Sequence, residues 1–179
     1  LNLSVTFIRR VYSPGSKFAP HEHGRGEDFL VLEGEFRDEH GIYPRGTYVR
    51  NPWGSFHAPF SLQGCTLFVR LCQIPEDDRA RVCILEAVES SALRDGATEN
   101  SVVVHATETE WVAIMRWGAG HRADAHAHPH GEEVFVLDGV MEDEHGVYGP
   151  GTWLRQPRGS RHQPRSSEGC VLYVRRGLR

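Results

Sequence analysis

Two imidazoles one residue apart, a carboxylate four positions on and a third imidazole far downstream make a set of groups able to hold a metal ion. His21, His23, Glu27 and His57 form that set once, and His126, His128, Glu132 and His162 form it again. Residues i and i+2 of a strand project to the same side, so each His-x-His pair can reach one ion. The third imidazole lies 34 residues further on in both sets, and a later strand must deliver it. Nitrogen and carboxylate ligands together suit Zn, Fe(II), Mn, Ni or Cu. One divalent ion per set is expected, zinc or iron first, with nickel and manganese also compatible. Glu27 and Glu132 are expected as fourth ligands or general bases, which makes them the candidate catalytic groups.

The elements that must position these groups come as a repeat. Residues 15–70 align with 120–175 without a gap, at a period of 105, and 27 of the 56 positions are identical. Of the 11 His, eight fall into pairs across the repeat (21/126, 23/128, 40/145 and 57/162). About half of the aligned positions have diverged, yet every candidate ligand stands in both copies. The repeat is domain-sized, so two homologous units are expected, at residues 1–90 and 91–179. Residues 73–110 between the repeats carry 9 acids and 3 bases, an acidic connector between nearly neutral units. The first unit has less sequence ahead of its motif, so its earliest strands are expected to be missing or supplied from elsewhere. The chain does not begin with Met, which leaves room for residues upstream.

Short β-branched and aromatic runs, such as 29–32 and 134–137, alternate with turn residues every 8–12 positions. That spacing predicts an all-β fold of barrels or sandwiches. Strands are also expected within 81–88 and 102–104, and one short helical turn within 87–93. His40 and His145, in D-E-H-G, read as solvent-facing turn residues. Cys65 and Cys170 read as buried core thiols.

Composition removes other classes. A formal charge of −4 carries no basic excess for nucleic acid. No run is long and apolar enough for a transmembrane span or signal peptide. Four Cys without a C-x-x-C pair support neither a disulfide scaffold nor a thiolate zinc site. A cytoplasmic location follows as the default. No G-x-S-x-G elbow, phosphate loop or dinucleotide fingerprint is present.

The spacing Gly15-x5-His21-x-His23-x3-Glu27-x6-Gly34, followed by Gly46-x5-Pro52-x-Gly54-x2-His57, resembles the two cupin motifs, with Ser61 where the second ends in Asn. The second copy supplies Gly120, His126, His128, Glu132 and Gly139, then Gly151, Pro157, Gly159, His162 and Ser166. The chain therefore resembles a bicupin, which implies two tandem double-stranded β-helix, or jelly-roll, barrels. The stretch EGEFRDEHGIYPRGTYVRNPWGSFHAPFSLQGCTLFVRL resembles the cupin domain of ChrR-type anti-sigma factors, a group similar in turn to acetylacetone dioxygenase-like cupins. The first resemblance implies a zinc site that responds to an oxidative signal. The second implies Fe(II) held by three His, with a diketone chelating the ion before oxygen cleavage. ChrR-like regulators grip a sigma factor through an N-terminal helical zinc domain with a His-x3-Cys-x2-Cys motif. That motif is absent here, so a sigma-factor partner is not expected.

Beside the third ligand the copies differ. NPWGSFHAPF becomes QPRGSRHQPR, exchanging Trp53, Phe56 and Phe60 for Arg158, Arg161 and Arg165. Two readings stay open. Trp53 and Phe56 line an apolar first pocket while Arg158 and Arg161 rim a cationic second one, or the aromatics pack elsewhere and the arginines face water. Arg50 and Arg155, kept in both copies, are further pocket candidates. The expected function is a metal-binding regulatory bicupin that takes a small ligand or senses oxidation. The alternative is an Fe(II)-dependent dioxygenase of a small diketone-like or organic acid substrate. A homodimer is expected, because cupin units pair and edge strands need covering.

Overall fold

The structure, a computed structural model, describes residues 6–177. The chain divides into two compact units, 1–87 and 88–179. The first contains β1 (Thr6–Tyr12), β2 (Ser16–Lys17), β3 (His21–His23), β4 (Glu27–Asp38), β5 (Gly41–Pro44), β6 (Tyr48–Asn51), β7 (Ser55–His57), β8 (Phe60–Ser61), β9 (Cys65–Leu71) and β10 (Val82–Ile84). Its main sheet has the order β1-β9-β4-β6-β10, β5 and β8 pair with β4, and β3 pairs with β7.

A single 3-10 turn, Glu89–Ser91, opens the second unit. Its strands are β11 (Glu99–Ala106), β12 (Trp111–Trp117), β13 (His121–Arg122), β14 (His126–Ala127), β15 (Glu132–Gly139), β16 (Met141–Asp143), β17 (Gly146–Tyr148), β18 (Trp153–Gln156), β19 (Arg161–His162), β20 (Arg165–Ser166) and β21 (Cys170–Arg176). The order β11-β12-β21-β15-β18 repeats the first sheet from its second strand on, and β14 pairs with β19 as β3 does with β7. Among the described residues the chain is thus all-β, with two tandem sheet domains of matching strand order. No helix among the described residues is long and apolar enough to cross a membrane.

The differences between the units lie at their edges. β11 has no counterpart in the first unit among the described residues. That unit carries β10 on its opposite edge instead, antiparallel to β6 with Val82 facing Arg50. The strand expected within 81–88 is thus three residues long. Its flank holds Glu86 at positive φ, which ends the extended run.

Each unit closes on its own core. Tyr12, Phe29, Val31, Phe36, Tyr43, Val49, Cys65, Leu67 and Val69 form one, and Trp117, Val134, Val136, Met141, Cys170, Leu172 and Val174 the other. The odd-numbered members of β9 point into the first core, as the two-residue period requires. Cys65 and Cys170 are buried free thiols, and burial pushes the Cys170 thiol up to about 11. At Gly34 (φ +69°) an added Cβ would strike the Gly64 carbonyl oxygen. Only glycine allows β4 to bulge against β9 there, where the register shifts between Val31 and Glu33.

The opposite face of the first sheet is buried too, and it holds charge. Arg50 and Arg70, 0 % and 1 % exposed, both bind Asp28. Arg50 Nη1 donates to Asp28 Oδ2 at 3.0 Å and Arg70 Nε to Asp28 Oδ1 at 2.9 Å. Arg50 Nη2 also donates to Asp78 Oδ2 at 2.6 Å. Guanidinium groups reach such depth only when paired.

Candidate metal centres

The three imidazoles of each set meet on a two-strand ribbon. β3 and β7 run antiparallel with His21 opposite His57, and β14 and β19 run antiparallel with His126 opposite His162. The His-x-His pair shares a face, so His23 and His128 stand one pleat along on the same side. The turn into β4 is closed by the Gly26 N–H donating to the His23 carbonyl at 3.1 Å, and Gly54 N–H donates to the same oxygen at 3.0 Å. These bonds hold β3 and β7 together and bring Glu27, the first residue of β4, beneath the ring of His23.

The geometry is nearly the same twice. Ring centroids are 4.9, 5.0 and 4.8 Å apart in the first set and 4.8, 4.9 and 4.8 Å in the second. One ligand nitrogen from each ring lies within 4.8 Å of the other two in both sets. Glu27 Oε1 is 3.6 Å from His23 Nε2 and 4.0 Å from His57 Nε2, and Glu132 Oε1 is 3.6 Å from His128 Nε2. The structure therefore brings together all eight residues expected from the spacing.

The Nδ1 atoms say which nitrogens are free. His21 Nδ1 lies 2.9 Å from the Ala19 carbonyl and His126 Nδ1 2.8 Å from that of Asp124. His57 Nδ1 lies 3.1 Å from Asp38 Oδ2, and His162 Nδ1 3.1 Å from Asp143 Oδ2. These partners can only accept, so Nδ1 carries the proton and Nε2 turns a bare lone pair inward. His128 Nε2 and His162 Nε2 are buried with no hydrogen-bond partner. His23 Nε2 and His57 Nε2 face each other at 2.9 Å, close to the separation of two nitrogens bound at right angles to one ion at about 2.1 Å. Orphaned, converging lone pairs beside a carboxylate fit a divalent cation. Burial, then the neighbouring rings of His57 and His21, lowers His23 to about 4, which keeps it neutral and ready to ligate.

Asp38 and Asp143 were not among the expected site residues. D-E-H-G does form the hairpin turn, and His40 and His145 are exposed. The Asp of that turn works in two directions. Asp38 Oδ1 accepts from the His40 and Gly41 N–H groups at 2.8 and 3.1 Å and from the Tyr43 hydroxyl at 2.8 Å, while Oδ2 takes His57. Asp143 repeats the pattern with His145, Gly146, Tyr148 and His162. Burial alone would raise the Asp38 carboxyl, but the hydrogen bonds from His57, Tyr43 and His40 outweigh it and hold the carboxyl below its usual value. Asp38→Asn should weaken metal binding in the first unit about 10–100-fold, read by competition with a chromophoric chelator, and leave the second unit's ion in place.

The residues weighed as pocket candidates stand apart from the two imidazole clusters. A cavity of about 250 Å³ opens beside the first set, lined by His21, His23, Glu27 and His57 together with Arg10, Tyr12, Phe18, Phe36, Leu67, Val69 and Leu71. Arg50, Trp53 and Phe56 are not in its wall. Arg50 is locked in the Asp28 network. Trp53 donates its indole N–H to the Ile74 carbonyl and stacks under Arg25. Phe56 neighbours His57 on a strand, so it points to the other face, and it is 53 % exposed. Arg155, Arg158 and Arg161 are exposed, and none lines the cleft of about 450 Å³ formed by His126, His128, His130 and Arg176. The cation at the second centre is Arg176, whose Nε donates to Glu132 Oε2 at 2.7 Å.

The two glutamates are thus held differently. Glu27 has only a long bond from Asn51, 3.5 Å, and burial raises its carboxyl to about 7. Below that value the metal-free carboxyl is protonated, and an entering ion must displace the proton. Affinity of the first centre should therefore climb as pH rises from about 5 to 7, with proton uptake by the buffer visible in calorimetry. Glu27→Gln should reduce that slope and weaken retention of the ion.

Comparison with known proteins agrees with this picture. A family model described as the ChrR Cupin-like domain matches residues 4–75 and again 78–178. No curated protein matches the chain. Among solved structures, a candidate dioxygenase from Nostoc punctiforme aligns over 97 % of this chain and 70 % of its own, at 14 % identity and a TM-score of 0.79. A mutant of Bacillus subtilis oxalate decarboxylase aligns over 97 % and 69 %, at 12 % identity and a TM-score of 0.70. A cupin 2 conserved barrel domain protein from Leptotrichia buccalis aligns over 98 % and 89 %, at 13 % identity and a TM-score of 0.65. At such identities the likeness concerns the fold.

Proposed function

The chain belongs to the ChrR cupin-like domain family, as a bicupin, and from that premise we propose that it is a metal-dependent enzyme, of dioxygenase type, acting on a small organic acid or diketone-like substrate in its first unit. The observation that carries the proposal is the cavity: the three Nε2 lone pairs of His21, His23 and His57 open onto free volume with largely apolar walls. A closed set of protein ligands has no need of such a space.

A divalent ion at the three imidazoles would supply Lewis-acid polarisation of a chelating oxygen and, if the ion is iron, a place for O₂ to be activated. The residues of the chain do the rest. Asp38 fixes the ring of His57. Tyr12, Phe18, Phe36 and Leu67 keep bulk water from the bound substrate and strengthen every charge interaction near it. Glu27, beside His23 and His57, would serve as fourth ligand or as the group that moves a proton. Of the similar folds, one is named a dioxygenase and another is a decarboxylase of oxalate, a small organic acid.

The second unit fits the other reading, a regulatory or structural centre. There Arg176 holds the carboxylate of Glu132 beside His128, where it would serve as a fourth ligand. Anaerobic purification with metal analysis, followed by O₂-uptake assays against diketones and small organic acids, tests the division. Iron with O₂ uptake supports the enzyme. Tight zinc in both units without turnover overturns it in favour of the regulatory reading.

A further inference from the structure

The cavity of the first unit contains a guanidinium that belongs to neither cupin motif. Arg10 enters from β1, opposite Leu67 of β9, and lines the same space as His21, His23, Glu27 and His57. Its Cζ sits 4.6 Å from the centre of the Phe18 ring and 5.5 Å from that of Tyr12. Ring faces hold a guanidinium in place without using its N–H donors. Among the described residues, no hydrogen bond or ion pair takes those donors.

The second unit gives the contrast. One period downstream of Arg10 stands Met115, and one period downstream of Leu71 stands Arg176. The cation has changed strands. Arg176 lies 5.0 Å from the centre of the Trp111 ring, but its Nε is already committed to Glu132. The two units therefore differ: one arginine is used on the protein's own carboxylate and the other faces an open cavity.

Charge favours an anion in that cavity. A divalent ion shared by three neutral imidazoles and the Glu27 carboxylate keeps one net positive charge. Arg10 adds another, and Glu22 at the rim removes one. Among the other walls Phe18, Phe36, Leu67, Val69 and Leu71 carry no hydrogen-bond donor on their side chains, and the Tyr12 hydroxyl is a neutral donor that adds no charge.

We infer that Arg10 is the specificity-determining residue of the first unit, selecting a small carboxylate that reaches the metal position with one end and the Arg10 fork with the other. This rests on the metal-site reading above and names its ligand class. Titration calorimetry of zinc-loaded protein with malonate, and separately with imidazole as a neutral ligand for the same ion, tests it. One malonate per chain is expected, and Arg10→Gln should weaken it about 10–100-fold while imidazole binding and metal content stay as in the wild type. If Arg10→Gln does not fold, Arg10→Met, which installs the residue of the second unit, carries the same expectation. Unchanged malonate affinity in a folded, metal-loaded variant overturns the role of Arg10 and leaves the metal site standing. Failure of the wild-type chain to retain zinc would instead overturn the metal-site reading, and is seen before any titration.

Discussion

His57→Ala should halve the metal content of the purified protein, from two ions per chain to one, and abolish any activity that depends on the first unit. The ring of His57 lies within coordination range of both His21 and His23 and is the one of the three that Asp38 aims. Two imidazoles and a carboxylate remain, a set that binds far more weakly once the third nitrogen is gone. His162→Ala is the matched experiment. It should remove the other ion and spare any O₂ uptake of the first unit. Elemental analysis after dialysis against a mild chelator reads both results. Two ions retained in either variant would show that the imidazoles do not share an ion.

The second large effect concerns stability. Asp28→Ala removes the carboxylate between Arg50 and Arg70, all three of them buried. Arg70 loses both of its bonds to that carboxylate, and Arg50 loses one while its bond to Asp78 stays. Breaking a buried charge cluster from one side costs about 3–5 kcal/mol, because the remaining charge stays desolvated. For a unit of this size that is a large share of the total. Combining Asp28→Ala with Arg70→Met should recover part of the loss, since the stranded charge leaves with its partner. Denaturant unfolding of the single and double variants measures this, and a loss below about 1 kcal/mol for Asp28→Ala would show that the network adds little.

The two clusters able to hold an ion were legible in the sequence because metal chemistry leaves little freedom. Imidazoles at i and i+2 must share a face of a strand, and the repeat kept all eight groups while half of its positions drifted. The strands were legible for a similar reason, since glycines at fixed spacing mark where they stop. The pocket walls were not, for a simple reason. Trp53, Phe56, Arg158 and Arg161 were weighed by closeness along the chain to His57 and His162. On a strand the immediate neighbour of an inward residue points outward, and Phe56 and Arg161 follow that rule. Arg10 was invisible for the opposite reason: it lies five residues ahead of the repeat, on a strand joined to the site only through β9. Asp38 was visible but assigned one task. The turn it makes is real, and its second oxygen is the one that matters to His57.

That double duty has a consequence for how the two copies can age. A carboxylate used only to steer a ligand could be lost by drift once the ion became dispensable, and one used only to tie a turn could be swapped for asparagine. Here both demands fall on the two oxygens of one side chain, and the same arrangement is inherited by Asp143. A mutation that relaxed either demand would open a hairpin and release an imidazole together. The segment Asp38-Glu39-His40-Gly41 stands unaltered at 143–146, while the residues just before it have diverged.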